Sequence, residues 1–397
     1  MTYDLLIVGA GISGLGLAHL SNKHNIHTLV LDAAPQIGGC IATHTFPDIP
    51  GFWVEAGAHT CYNSYGNLLK IINDLNMQTH ITTKKSGLSF KLLRKDNLYS
   101  VLAGLHPVEL ALNLPRIFWA TKTGRNVKEY YSYILGTKNY QDLFGPAFNA
   151  VLCQPADEFP AELLFRRKPK QKDIPRSFTF PSGISSLTKA IANQPHLEII
   201  TKATVTKIKR IAKGFQVITY DNKVFTAKQL ALAVHPDQAA LMLADTYAEL
   251  AGLLAEIAMA EITSISVATF HKDTTLPPLA GIIAPYEPFY SAVSRDYLDD
   301  PSYRGFTFHF PTGQIDPSRQ IGRIREILGI PKEQLLATAY THKHRLPALQ
   351  TNHIERMARI DQVSATTGIA LVGNYFWGVS IEDCLIRVAK EWERIHQ

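Results

Sequence analysis

From Leu5 to Val8 every position is apolar, and the run LLIV has no polar alternation. A strand buried on one face alternates apolar and polar residues. An unbroken run therefore marks a strand covered on both sides, as in a parallel sheet between helices. The pattern then changes. GAGISGLGLAHL, from Gly9 to Leu20, reads as a tight turn running into a helix, and HTLVLD, ending at Asp32, as a second buried strand. Much later, ATVTKIKRIAKGFQVITYDNKVFTAKQLALAVHP reads as a β-rich segment that ends in another buried strand, LALAV. GIALVGNYFWGVSIEDCLIRVAKEW, Gly368 to Trp392, gives an apolar strand, a glycine-containing turn and an amphipathic helix starting near Ser380.

Gly9, Gly11 and Gly14 have the G-x-G-x-x-G spacing of a dinucleotide turn: one glycine for the tight turn, one for close backbone approach, one for helix–strand packing. The helix start at Ile12 and Ser13 offers unpaired N–H groups and a positive dipole end to a diphosphate. Asp32, about 20 residues on, stands where a carboxylate accepts hydrogen bonds from a ribose, with Ala33 beside it. A second pair, Gly38-Gly39, follows the acid and lets the chain pass close to an extended cofactor. At the closing helix, Glu382 and Asp383 suit the dipole of the first turn, whose free amides can stabilise negative charge on a ligand.

GAGISGL followed by an acid and a glycine pair resembles the flavoprotein superfamily that contains the monoamine oxidases, phytoene desaturases and protoporphyrinogen oxidases. The resemblance runs along essentially the whole chain and implies FAD as cofactor. FWVEAGAHT (Phe52 to Thr60) is similar to the family segment passing the isoalloxazine edge, which implies backbone contacts from Gly57 and Ala58 and places His59 near the ring. FTFPSGISSLTKAIA is similar to a Phe-Pro-x-Gly-Gly turn and helix, with Ile184 in place of the second glycine. Val205 matches the position whose backbone meets adenine. In the closing stretch the resemblance implies contacts from Gly373, Asn374, Gly378, Val379 and Ser380, with Trp377 and His59 as candidates at the reacting centre. The Gly-Asn-Tyr-x-x-Gly-Val…Asp-Cys pattern resembles the protoporphyrinogen oxidase branch most, and the segments 145–165, 279–298 and 344–350 fall where that branch has comparable ones. Cys40 departs from the pattern, standing where a basic residue usually steadies the diphosphate.

The implied fold is α/β: a Rossmann-type FAD-binding domain with an inserted mixed α+β substrate domain. The first is assembled from residues 1–80, 181–245 and 351–397. The second comes from 81–180, helical, and 246–350, a mixed sheet. The implied reaction is hydride transfer from an organic donor to flavin N5, with dioxygen or another acceptor reoxidising the ring. The donor is a small, largely apolar molecule, of porphyrinogen type in the branch the chain most resembles. Arg166, Arg167 and Arg176 are candidate clamps for its carboxylates. An amine oxidase, a polyene desaturase or isomerase, and a non-catalytic FAD-stabilised scaffold are the alternatives.

Composition adds little beyond exclusions. The net charge of +6 (40 basic less 34 acidic residues) shows no patch that argues for nucleic acid. The densest run, RRKPKQK, reads as a solvated loop. Cys40, Cys61, Cys153 and Cys384 are scattered, supporting neither a disulfide framework nor a zinc site; Cys40 and Cys384 read as buried packing residues, and the cytoplasm is the expected compartment. THKHR carries His342 and His344, read as surface histidines, so no metal is expected. The chain has no secretory signal and no spanning segment, since Pro107, Glu109, Pro115 and Arg116 interrupt the longest apolar stretch, Leu98 to Ala120. Lying on a membrane surface and lining an apolar tunnel both stay open for that stretch.

Overall fold

The computed structural model describes residues 2–331 and 337–396. Two seven-stranded sheets dominate it. The first has the order Leu197–Ile200, Thr28–Leu31, Thr2–Val8, Val224–Leu232, Gly214–Thr219, Val205–Ile211. Its opening strand, Thr2–Val8, pairs in parallel with Thr28–Leu31 on one side and Val224–Leu232 on the other. The opening strand shows why its sequence does not alternate. Leu6 and Val8 enter one buried cluster with Leu29 and Leu31, while Leu5 and Ile7 enter another with Val30 and Leu187. Both faces are covered, so both need apolar side chains.

Strand Val224–Leu232 divides its partners. Its first half pairs antiparallel with Gly214–Thr219, and its second half pairs in parallel with Ile369–Leu371, contributed from near the end of the chain. The closing helix, Ile381–Ile395, then packs against the opening helix, Ile12–Lys23. A Cβ on Gly16 would lie 2.5 Å from Leu385, so the two helices meet at backbone distance.

The second sheet has the order Ala337–Pro347, Met259–Phe270, Tyr303–Pro311, Ser291–Ser294, Gly281–Ile283, Phe90–Arg94, Asn97–Ser100. Residues 81–180 therefore supply two strands to this sheet as well as helices. Its central strands separate side chains by period two. Phe306, Phe308 and Phe310 pack with Ile265, Val267 and the helix Pro317–Leu328 (through Ile324 and Leu328) in an apolar layer. Thr307, His309, Ser264 and Ser266 occupy the other face, with Ser266 and Thr307 hydrogen-bonded at 2.9 Å. That polar face meets the short strand Trp53–Glu55: Thr307 Oγ1 donates to the Glu55 carbonyl at 2.8 Å.

Candidate functional site

The opening turn is built by steric need. Gly9 sits at φ +106°, and a Cβ there would lie 2.5 Å from the Ala233 carbonyl oxygen; one on Gly14 would lie 1.9 Å from the carbonyl oxygen of Gly9. Gly11 is different. The nearest atom to its virtual Cβ is the Gly39 Cα at 4.0 Å, so this position is kept bare without protein crowding it. Gly11 caps the opening helix with no side-chain bond, which leaves the first-turn amides of Ile12, Ser13 and Gly14 without intrahelical partners.

Asp32 ties the turns together: one carboxylate oxygen accepts from the Ala10 amide (2.6 Å), the other from the Ala34 amide (2.7 Å). Lone pairs remain on both oxygens for a further donor. The Gly38 amide donates to the Ala10 carbonyl at 2.8 Å, bringing Gly38 and Gly39 against Gly11. Ala203 N–H donates to the Asp32 carbonyl and Lys202 N–H to that of Ala34, so the chain entering Val205 runs alongside Asp32 and Ala33. Gly57 faces Cys40, where a Cβ would meet the carbonyl oxygen at 2.1 Å, and the Ala58 amide donates to that same oxygen at 2.9 Å. Cys40 thus contributes its backbone where a basic side chain was expected.

The closing turn comes to the same place. Val372 N–H donates to the Leu232 carbonyl, and the chain continues through Gly373 and Asn374 to Gly378, at φ +139°. Ser380 caps the closing helix by accepting from the Asp383 amide at 3.1 Å, with Val379 just before it. Ser13 hydrogen-bonds the Cys384 thiol, joining opening and closing helices at their N-terminal ends. Burial pushes the Cys40 thiol up to about 11 and those of Cys153 and Cys384 to about 12, so all three stay protonated.

Two features differ from expectation. Glu382 does not serve its own helix. It accepts from the Asn67 and Leu68 amides (2.9 and 3.2 Å), capping Gly66–Asp74 in another part of the lobe. The basic run is not wholly solvated either: Lys168 turns inward, 2.7 Å from Asp383 and 3.1 Å from Ser380 Oγ. Arg166, Arg167 and Arg176 are exposed, with Arg166 over the half-buried Trp377 ring and Arg176 beside Tyr62.

The polar face of the second sheet meets the segment carrying Glu55 and His59. His309 Nδ1 lies 2.8 Å from Ser264 Oγ, and the same oxygen is 3.4 Å from His344 Nε2. His342 and His344 are therefore not surface residues; they lie half-buried on the inward face of their strand, rings 5.2 Å apart. Tyr340 stacks on His44 at 3.9 Å. His59 is close enough to His309 that its charge would lower the basicity of that ring. Burial holds His59 near 4 and both His309 and His344 near 3, so all three are neutral at ordinary pH. Glu55 accepts from the Ile184 amide and Thr43 hydroxyl, and burial raises it to about 7. Lys84, lowered by burial to about 8, donates to the His59 carbonyl at 2.7 Å and stacks over Tyr297. Among the described residues no cluster is suited to hold a metal ion.

Glu55, Lys84, Ser264, His309 and Lys168 are the residues that sequence reasoning passed over. Only Glu55 carried a signal, as the acid in FWVEAGAHT.

The glycine turns, the bare Gly11 and the free helix amides fit a dinucleotide diphosphate, and the crowding at Gly9 and Gly14 explains why no side chain replaces them. A family model described as an NAD(P)-binding Rossmann-like domain matches residues 7–75. The 15-cis-phytoene desaturase of Synechococcus elongatus is 29% identical over 94 residues, 24% of this chain and 19% of that protein. The aligned part thus spans about a fifth of this curated relative's length. Over the full length, the crystal structure of a protein provisionally named protoporphyrinogen oxidase from Exiguobacterium sp. 255-15 superposes with TM-score 0.79, 16% identity and 100% coverage of both chains. The chain has the fold of the flavin-containing amine oxidase and protoporphyrinogen oxidase-like superfamily. A putrescine oxidase superposes with TM-score 0.70, 14% identity and 100% coverage of both chains.

Proposed function

We propose that this chain is an FAD-dependent oxidoreductase that takes a hydride from a small organic donor. The observation supporting this reading is that the Gly9–Gly14 turn meets the Gly38-Gly39 pair and, through the Ser13 bond to the Cys384 thiol, the start of the Ser380-capped helix. FAD bound there supplies the hydride acceptor. Gly11, Ile12, Ser13 and Gly14 hold the diphosphate by backbone amides, Asp32 the ribose, and Val205 the adenine edge. Gly57, Ala58, Gly373, Asn374, Gly378, Val379 and Ser380 border the ring. Residues 1–80, 181–245 and 351–397 form the cofactor lobe, and 81–180 with 246–350 the donor lobe. The neutral His59, His309 and His344 leave the donor wall uncharged and able to hydrogen-bond.

The donor reading we favour is a porphyrinogen-like molecule, with dioxygen or another acceptor closing the cycle. The Gly-Asn-Tyr-x-x-Gly-Val…Asp-Cys pattern and the full-length likeness to the Exiguobacterium protein support it. The helical part of the donor lobe suits a lipid surface: Leu112, Phe118 and Trp119 are 74%, 87% and 66% exposed, with Arg116, Lys122 and Arg125 nearby, and among the described residues no helix is long and apolar enough to cross a membrane. The test is anaerobic. Purified protein should be yellow, and protoporphyrinogen should bleach it. Bleaching by amines or polyenes instead selects those donor classes, and a flavin that resists every donor makes the chain a scaffold. Protein that stays colourless after incubation with FAD ends the reading.

A further inference from the structure

We propose that His309, Ser264 and His344 form a proton relay leading from the donor side outward to His342 and His235. The proposal rests on the oxidoreductase reading for its purpose, though not for its geometry. Removing a hydride from a donor leaves a proton behind, and the donor wall is buried: Ser264 is fully inaccessible and His309 3% exposed. That proton needs a way out.

The geometry supplies one. Ser264 Oγ has a single proton but two imidazole neighbours, Nδ1 of His309 at 2.8 Å and Nε2 of His344 at 3.4 Å. It can donate to one ring while accepting from the other, in either of two arrangements. In the first arrangement Ser264 donates to His309 Nδ1 and accepts from His344 Nε2–H, so His309 carries its proton on Nε2 and His344 Nδ1 is bare. In the second, His309 Nδ1–H donates to Ser264, Ser264 donates to His344 Nε2, His309 Nε2 is bare and His344 carries Nδ1–H.

Proton transfer converts the second arrangement into the first. A proton arriving on His309 Nε2 pushes the Nδ1 proton onto Ser264, the serine proton onto His344 Nε2, and the Nδ1 proton of His344 outward. One proton enters, one leaves, and no electrons move. Rotation of the serine hydroxyl and exchange of the ring tautomers reset the chain.

The surroundings suit this use. His344 Nδ1, the exit atom, is buried and has no hydrogen-bond partner within the protein. His59 lies near His309, and Lys84 near His59. At the exit stand His342, contacting Tyr340, and His235, beside the Arg345–Asp237 pair at 2.8 Å. Both relay rings are neutral, so each can hold either tautomer. The three residues come from adjacent strands of the second sheet, where Ser264 is in register with His309 on one side and His342 on the other, and His344, opposite Ile262, reaches it diagonally from two positions along.

The test uses the full chain with selectively 15N-labelled histidine. In the wild type, the ring nitrogens of His309 and His344 should show tautomer-averaged shifts that change together. In Ser264→Ala each should settle into one tautomer, with thermal midpoint and flavin content unchanged. With whichever donor bleaches the flavin, Ser264→Ala should slow bleaching at least tenfold while half-saturation stays constant. Ser264→Thr, which keeps the hydroxyl, should restore both readouts. Fixed, independent tautomers in the wild type, unaltered by Ser264→Ala, would overturn the relay. A colourless protein with coupled tautomers would overturn the flavin reading and leave the relay standing.

Discussion

Glu55 has an expected cost that can be measured. Its carboxyl is raised by burial from about 4.5 to about 7, so the folded chain holds a proton that the unfolded chain has lost across that interval. Stability therefore falls as pH rises through the interval, by up to roughly 3 kcal/mol for this group. Glu55→Gln should flatten that dependence, read as thermal midpoints at pH 5 and pH 8; a wild-type profile retained in the variant would contradict the assignment. At the opening turn, Gly14→Ala places a methyl group 1.9 Å from a backbone oxygen, and Gly9→Ala forces a side chain into the left-handed region. Each should cost about 1–3 kcal/mol and abolish flavin retention, whereas Gly51→Ala, at φ +79° with no atom within 4 Å, should lower stability alone. Absorbance of the purified variants checks this.

At the level of elements, the start of the closing helix makes two caps, one for itself through Ser380 and one for Gly66–Asp74 through Glu382. Glu382→Gln removes the charge that caps Gly66–Asp74, and Ser380→Ala removes the cap of Ile381–Ile395. Each should destabilise by about 1 kcal/mol, measured as a shift in denaturation midpoint. Urea curves identical to the wild type would argue against both caps. The element scale is also where the sequence stops being readable. The glycine turns could be found because their requirement is local: three residues, one spacing, strand before and helix after. His309, Ser264 and His344 could not, because only the pairing register of three strands brings them side by side, and alternation marks a face without naming its neighbours. THKHR looked like a surface segment because nothing in it tells which alternate residues face inward. Lys168 was hidden by its own neighbours. A basic run predicts solvent for the group, and the inward turn of one member depends on Asp383, more than 200 positions away. Glu382 shows the same effect in reverse, since a position ideal for its own helix serves another.

Across the molecule, the exposed apolar side chains gather on the helical region of the donor lobe. Burying Leu112 and Phe118 in lipid would contribute about 1.5–3 kcal/mol each. Leu112→Glu with Phe118→Glu should therefore weaken co-sedimentation with vesicles of mixed neutral and anionic lipid at least tenfold. Wild-type protein that stays in the supernatant would remove the lipid surface as a partner. The cofactor lobe has a different large-scale property. Strand Val224–Leu232 is completed by Ile369–Leu371, and Gly16 waits for Leu385. The opening loop and helix thus take part of their surroundings from segments far along the chain. A chain cut before Ile369 would carry every opening glycine and, on the flavin reading, should come off the column colourless.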